Sequence, residues 1–110
     1  MIQKGDAEAA EEICRDALDS YPQDANILCL SARALIRLKR FDESEKKINQ
    51  VLTLFPQFAR AQEILGELFT AQGKHEQASG SFKKAIDLGA DSPNIHQKLS
   101  ASLAAEGKIE

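Results

Sequence analysis

The sequence predicts an all-α fold of six helices, built from about three copies of a two-helix repeat. The first observation is an apolar stripe at positions i, i+4, i+7 and i+8, a spacing that lies along one face of a helix. The stripe consists of Ala78, Phe82, Ala85 and Ile86. It recurs at two earlier positions, each 34 residues apart, as Ser44, Ile48, Val51 and Leu52 and as Ala10, Cys14, Ala17 and Leu18. A fixed period of this length is typical of stacked helical repeats.

The segments between the stripes repeat with the same period, which is the second observation. Residues 25–35, 59–69 and 93–103 align without a gap. Small residues share one position and bulky residues another, as Ala32, Gly66 and Ser100 and as Leu35, Phe69 and Leu103. The third observation is a turn position at the same spacing, occupied by Gly5, Lys39, Gly73 and Gly107. The small residues predict close helix contacts, in particular at Gly66 and Ala78.

Local signals predict where each helix begins and ends. The predicted helices span residues 7–20, 25–38, 42–55, 59–72, 75–88 and 93–106. Asp6 and Asp24 are the predicted N-caps of the first two helices. The second helix is the most apolar, which predicts that it packs on two sides. Ser92 followed by Pro93 predicts an N-cap and a first helical proline for the sixth helix.

The repeat resembles the tetratricopeptide repeat family, whose pattern joins Trp-x2-Leu-Gly-x2-Tyr to a Gly, to Ala-x3-Phe-x2-Ala and to a closing Pro. The best copy runs from Leu65-Gly66 through Phe69, Gly73, Ala78 and Phe82 to Ala85. The sequence departs from the pattern in having no Trp, and Ala90 replaces the closing Pro of the third copy. Leu28, Gln62 and His96 stand at the Trp position. The resemblance implies a right-handed α-α superhelix, a tetratricopeptide solenoid.

The repeat register divides the single predicted domain, residues 1–110, into four parts. Residues 25–58 and 59–92 form full repeats, residues 1–22 carry a second helix alone, and residues 93–110 carry a first helix alone. The chain thus opens and closes in mid-repeat, and we expect a piece of a longer array. Solenoid ends without polar caps expose apolar surface, so we also expect self-association through the array ends.

Composition limits the class of protein and of partner. The net charge of −3 argues against general affinity for nucleic acids. No apolar run approaches the roughly 20 residues of a membrane span, and the first residues do not resemble a signal peptide. We therefore expect a cytoplasmic protein, of bacterial style, with reduced thiols and no membrane partner. Cys14 is a predicted core residue, and Cys29 a partly exposed one.

No pattern in the sequence indicates catalysis. Neighbouring carboxylates such as Glu11 and Glu12 are expected to be solvated charges on outer helix faces. Neither His75, expected at the surface, nor His96, expected to pack half-buried, has a cluster of metal-ligand residues around it. We expect no enzyme activity, no cofactor and no metal.

The resemblance implies that the first helix of each repeat lines a concave groove that binds peptides or protein segments. The residues carried over to this groove are Asn26, Cys29, Arg33, Arg37, Arg60, Glu63, Glu67, Asn94, Gln97 and Lys98. Arg33 and Arg37 are i, i+4 neighbours that could hold a carboxylate of a ligand. Alternatively, these charges and the acidic pair of Glu63 and Glu67 satisfy each other across the groove.

Several family members bind acidic chaperone tails with a clamp of Lys, Asn, Asn, Lys and Arg. Here Cys29 and Arg33 occupy the first Lys and Asn places, so the sequence departs from that clamp. The function predicted is a scaffold that binds a protein or peptide partner in the groove. The alternatives are an accessory module of a larger bacterial enzyme, such as a sulfotransferase-like or glycosyltransferase protein, and a piece of a secretion or pilus-assembly factor.

Overall fold

The computed structural model describes residues 4–107 and contains only α-helices as regular structure there. The six helices are α1 (Lys4–Ser20), α2 (Ala25–Arg37), α3 (Phe41–Leu54), α4 (Ala59–Ala71), α5 (His75–Asp87) and α6 (Ile95–Ala105). The predicted all-α class is confirmed, and no predicted helix boundary is more than three residues from its observed position. The predicted truncated helix at each end depends in part on residues 1–3 and 108–110, which lie outside the described residues.

The chain forms two compact units, Met1–Pro56 and Gln57–Glu110. In the first unit α2 packs against both α1 and α3, and in the second α5 packs against both α4 and α6. The central helix of each unit is buried along more than one side. In α2 the buried residues are Leu28, Cys29, Ser31, Ala32, Ala34 and Leu35.

One of the predicted helix starts is confirmed and two are wrong. The carboxylate of Asp24 accepts a hydrogen bond from the backbone N–H of Ile27 and caps α2 at 3.0 Å. Asp6, in contrast, lies within the first turn of α1, because the helix already begins at Lys4. The sixth helix begins at Ile95 instead of Pro93. The backbone N–H of Ile95 bonds to the carbonyl of Ser92 at 3.1 Å, an i to i+3 contact that forms a tight turn before the helix.

Three of the four predicted turn positions lie just after α2, α4 and α6, whereas the fourth, Gly5, is wrong because it lies within α1. Lys39, Gly73 and Gly107 have φ angles of 61°, 77° and 74°, in the left-handed region that glycine adopts without strain. At Lys39 the next backbone N–H, of Arg40, bonds back to the carbonyl of Leu35 at 2.9 Å. This hydrogen bond, which spans six residues, satisfies a backbone carbonyl that the end of α2 would otherwise leave unpaired.

The predicted apolar stripe is buried on α3 and α5 but only partly on α1. Ser44 is buried and donates a hydrogen bond from its Oγ to the carbonyl of Ala32 on α2, at 2.9 Å. Ala78 is buried at the same repeat position. Ala10, in register with both, is exposed. Ser44 and Ala78 each face the preceding helix, α2 and α4 respectively. Among the described residues no helix precedes α1, so Ala10 has no such neighbour.

The core of the second unit forms around Phe82. Phe82, Ala78 and Ala85 on α5 pack together with Ile95 on α6, and all four are buried. Burying a side chain of this size stabilises the folded state by roughly 1.5–3 kcal/mol. Gly66 on α4 lies directly against the ring of Phe82. The close contacts predicted at Gly66 and Ala78 are therefore present.

Candidate functional site

The first unit presents one exposed stripe on α2, a helix otherwise largely buried. The stripe is formed by Asn26, Leu30, Arg33 and Arg37, at the spacing i, i+4, i+7 and i+11 of a single helix face. Asn26, Leu30 and Arg37 are exposed and Arg33 is half-buried. Leu30 is 46% exposed, which is high for a leucine on a helix that is otherwise largely buried. We refer to these four residues as the α2 stripe, since they combine an amide, an apolar side chain and two guanidinium groups.

Cys29, predicted to line the groove and to be partly exposed, is fully buried. Leu28, one residue before it, and Ser31, two residues after it, are buried as well. Because α2 is covered on more than one side, the inward side of the helix includes position 29. The Cys29 side chain therefore belongs to the interior, and both cysteines are free thiols.

In the second unit an ion pair joins two of the predicted site helices. The Nζ atom of Lys98 on α6 donates to the carboxylates of Glu63, at 2.8 Å, and Glu67, at 3.1 Å, both on α4. The Glu63 side chain is only 8% exposed, while those of Glu67 and Lys98 are 20% and 30% exposed. A carboxylate buried to this extent requires a charged or hydrogen-bonding partner. The sequence had suggested the arginines of α2 as partners and did not predict this role for Lys98.

The other predicted site residues of the second unit are open to solvent. Arg60 is exposed on the first turn of α4. Asn94 and Gln97 are exposed at the start of α6 and share a face with the exposed Ala101, at the spacing i, i+3 and i+7. We refer to Asn94, Gln97 and Ala101 as the α6 stripe. Asn94 is the N-cap residue of α6, and its side chain makes no capping bond.

The structure reverses the expected settings of the two histidines. His96 is exposed, and His75 is half-buried, with a buried Nδ1 atom that has no hydrogen-bond partner among the described residues. Within residues 4–107 no group of three or more His, Cys, Asp or Glu residues is arranged to hold a metal ion. Among the same residues, no helix has both the length and the apolar character needed to cross a membrane.

A buried carboxylate in the first unit was also missed by the sequence. Glu11, expected to be solvated, is 7% exposed and pairs with Arg15 and with Arg40, whose Nη1 lies 4.0 Å from Oε2 of Glu11. Its position is one turn before Cys14, which is buried as predicted. Burial, and to a lesser extent the charge of Glu11, raises the pKa of the Cys14 thiol.

Known proteins share both the repeat and the fold. A family model described as tetratricopeptide repeat matches residues 1–68. An uncharacterised protein, y4yS, of Sinorhizobium fredii is 28% identical over 94% of this chain and 57% of its own length. The small glutamine-rich tetratricopeptide repeat-containing protein 2 of Saccharomyces cerevisiae is 30% identical, over 96% of this chain and 30% of its own length. The chain thus spans little more than half of the length of one of these relatives and less than a third of the other.

A solved structure gives the same answer for the fold. The first tetratricopeptide repeat domain of Spaghetti (RPAP3), bound to the HSP90 peptide SRMEEVD, superposes with a TM-score of 0.79 at 21% identity. The superposition covers 94% of this chain and 82% of that domain. The predicted fold class, an all-α tetratricopeptide solenoid, is therefore confirmed. With the repeat matched over more than half of its length, the chain belongs to the tetratricopeptide repeat family.

Proposed function

We propose that this chain is a protein-interaction module that binds an extended peptide or protein segment along the first helices of its repeats. With repeats at residues 25–58 and 59–92, these helices are α2 and α4, followed by α6. The observation that carries the proposal is the α2 stripe. A helix buried around much of its circumference keeps one face open, and that face mixes an apolar side chain with hydrogen-bonding and cationic groups.

The chemistry of the α2 stripe favours an acidic ligand. Arg33 and Arg37 lie one turn apart, so their guanidinium groups can reach neighbouring carboxylates of one peptide. Asn26 supplies an amide that can bond to a peptide main chain, and Leu30 offers an apolar contact. The peptide-bound structure of the first Spaghetti domain, whose ligand sequence contains two adjacent glutamates, supports this proposal by analogy of fold.

The exposed groups of the second unit suit main-chain recognition. The amides of Asn94 and Gln97 on the α6 stripe can both donate to and accept from an extended backbone. Glu63 and Glu67 are engaged by Lys98, so they are proposed to shape this surface and not to contact a ligand directly. The proposed contacts in this unit are therefore Arg60, Asn94 and Gln97.

The proposal can be tested with peptides selected from a library, so the natural partner need not be known. Panning a random peptide library displayed on phage against the chain yields ligands whose dissociation constants are then measured by fluorescence anisotropy. The double variant Arg33→Glu and Arg37→Glu is expected to weaken binding of an acidic selected peptide by about tenfold or more, since each lost charged hydrogen bond is worth roughly 1.5–3 kcal/mol.

The matched control reverses two exposed lysines elsewhere, Lys83→Glu and Lys84→Glu on α5. This change alters the net charge by the same amount, and we expect it to leave the affinity within about twofold at physiological salt. Helical circular dichroism should be the same for both variants. Binding lost in the α5 variant and kept in the α2 variant would contradict the proposed surface.

A further inference from the structure

One face of α1 is open to solvent although the repeat buries the same face elsewhere. Ala10 is exposed, whereas its repeat equivalents Ser44 and Ala78 are both 0% exposed. Ile13 lies on the same side of the helix and is 68% exposed, the largest value among the exposed large hydrophobic side chains of the described residues. Ala17, at the spacing i+7 from Ala10, is half-buried. We call Ala10, Ile13 and Ala17 the α1 end face.

A face of α6 is exposed in the same way. His96 and Ser100 are i, i+4 neighbours on α6, and both are exposed. Their repeat equivalents are all buried, namely Leu28 and Gln62 for His96 and Ala32 and Gly66 for Ser100. Leu103, at the spacing i+7 from His96, is half-buried. We call His96, Ser100 and Leu103 the α6 end face.

The two end faces correspond to the two sides of one helix contact that the repeat makes elsewhere. In the first unit Ser44 on α3 meets Ala32 on α2, and the Oγ of Ser44 donates to the carbonyl of Ala32 at 2.9 Å. In the repeat register Ser44 is equivalent to Ala10, and Ala32 is equivalent to Ser100. The chain therefore carries both sides of this contact a second time, on α1 and on α6.

We propose that these faces join two copies of the chain, with α6 of one copy pairing with α1 of a second copy as α2 pairs with α3. The second copy provides α6 with the second helix that α2 and α4 each have within the chain. In return, α1 of the second copy gains the preceding helix that α3 and α5 have. Burial of the exposed apolar side chains on both faces drives the association.

Side-chain size at the centre of this pair supports a second copy as the occupant. The contact of Gly66 with Phe82 in the second unit is equivalent to a contact of Ser100 with Cys14 of the second copy. Opposite the Phe82 ring even a Cβ atom would clash, at 2.5 Å. Cysteine is much smaller than phenylalanine, so α1 has room for the side chain of Ser100 where a helix with phenylalanine at this position would not.

The charges beside the two faces are complementary. In the first unit Arg15 of α1 and Lys46 of α3 line one cleft over α2. Their repeat equivalents are Lys83 on α5 and Glu12 on α1, and Asp16 lies one turn after Glu12. In the proposed pair Lys83 therefore lies beside two carboxylates of the second copy. Within residues 4–107 none of Lys83, Glu12 and Asp16 forms an ion pair in its own chain.

The association is expected to be weak and to extend beyond two copies. One helix pair buries less surface than the roughly 1,200–2,000 Å² of stable complexes, so we expect a dissociation constant of about 0.1–1 mM. A single pair leaves one α1 end face and one α6 end face open. Such a head-to-tail contact can therefore add further copies.

Two variants that each block one face provide the test. Ala10→Arg places a long cationic side chain on the α1 end face, and Ser100→Arg does the same on the α6 end face. Sedimentation of the parent chain from about 20 µM to about 1 mM should show association, and each variant alone should lose it by about tenfold or more. An equal mixture of the two variants should form a one-to-one dimer and nothing larger, because each variant keeps the face that the other lacks.

The matched control is Ala71→Arg, which adds the same side chain at an exposed position on α4, outside both end faces. It should associate as the parent chain does. Circular dichroism confirms that each variant is folded. Should one of them fail to fold, dilution of the ¹⁵N-labelled parent chain provides a second measurement. Amide shifts that depend on concentration are then expected at both end faces, with one common dissociation constant.

Several results overturn the proposal. A parent chain that stays monomeric at about 1 mM overturns it, and this is the result expected if a helix of another protein covers these faces. Association that persists in either variant alone also overturns it, since two like faces would then be in contact. A mixture of the two variants that stays monomeric has the same meaning. The end faces share no residue with the α2 stripe or the α6 stripe, so these outcomes are independent of the peptide binding proposed above.

Discussion

A Cβ atom placed on Gly66 would lie 2.5 Å from Cε1 of Phe82, closer than any stable carbon–carbon contact allows. The ring of Phe82 is 1% exposed and packs among Ala78, Ala85 and Ile95, so it cannot move aside without displacing the core. The absence of a side chain at position 66 therefore sets how closely α4 and α5 approach. The pattern of small residues in the sequence predicted this contact.

Gly66→Ala is expected to destabilise the fold in spite of the better helix propensity of alanine. Overpacking costs roughly 1–3 kcal/mol, while replacing a helical glycine by alanine gains about 1 kcal/mol. Because the contact with the Phe82 ring is so short, we expect an overpacking cost near the upper end of that range, and therefore a net loss of folding stability. The free energy of unfolding from urea denaturation measures it.

Gly80→Ala is the matched control within the neighbouring helix. Gly80 lies in α5, and a Cβ there would meet nothing within 4 Å. The propensity gain therefore stands alone, and we expect about 0.5–1 kcal/mol of added stability. Equal stability changes in the two variants would show that the Phe82 ring does not restrict position 66.

Lys39→Gly is expected to stabilise the first unit. Lys39 has a φ of 61°, whereas glycine occupies the equivalent positions 73 and 107. A residue with a Cβ loses roughly 1–2 kcal/mol in this conformation, partly offset by the greater freedom of glycine in the unfolded chain. We expect a net gain of about 0.5–1 kcal/mol in urea denaturation. Lys84→Gly, inside helix α5, should instead lose about 1 kcal/mol, and a loss in both variants would contradict the strain at Lys39.

Lys98→Met is expected to cost roughly 1–3 kcal/mol, because it leaves the buried carboxylate of Glu63 without its ammonium partner while keeping the apolar stem. The second change Glu63→Gln, made in the same chain, should recover much of that loss, since a neutral amide is cheaper to bury. Thermal and urea unfolding of the single and double variants measure both effects. If the double variant were no more stable than Lys98→Met alone, the Lys98–Glu63 pair would not be what compensates the buried charge.

The burial of the Cys14 thiol leads us to expect that the folded chain loses stability at alkaline pH. Its pKa is raised in the folded chain, chiefly by burial, above the ordinary value of 9.0. The unfolded chain therefore loses this proton first, and stability falls as the pH rises from the unfolded towards the folded pKa. The slope that one such group contributes is at most about 1.4 kcal/mol per pH unit.

The measurement for Cys14 compares the parent chain with Cys14→Val, because all other titrating groups are common to both. Between about pH 8 and pH 10 the parent should lose stability relative to the variant. A difference in unfolding free energy that stays constant across this range would mean that the thiol titrates equally in the folded and unfolded chains.

The fold was largely predictable because it depends on periodic burial. A 34-residue repeat of apolar and small residues specifies which helix faces meet, and one glycine or lysine per copy specifies the turn. The errors arose where local signals competed. Asp6 and Ser92 are both good N-caps by residue type, but α1 continues past Asp6 towards the N-terminus, and a tight turn after Ser92 delays α6 to Ile95.

The candidate site was less predictable, because a repeat register gives the face of a helix but not the depth of a side chain on it. Cys29 was assigned to the right helix and to the wrong depth. The links from Lys98 to Glu63 and Glu67 depend on side-chain reach between helices, which spacing along the chain does not contain.

The most direct test of the central proposal is a map of the peptide-binding surface. A selected acidic peptide is titrated into ¹⁵N-labelled chain, and amide shifts are followed residue by residue. We predict that the largest shifts fall on the α2 stripe, in particular at Leu30, Arg33 and Arg37, and on the α6 stripe around Gln97. Shifts concentrated instead on the exposed faces of α3 and α5, with the α2 stripe unchanged, would contradict the assignment of the first helices as the binding surface.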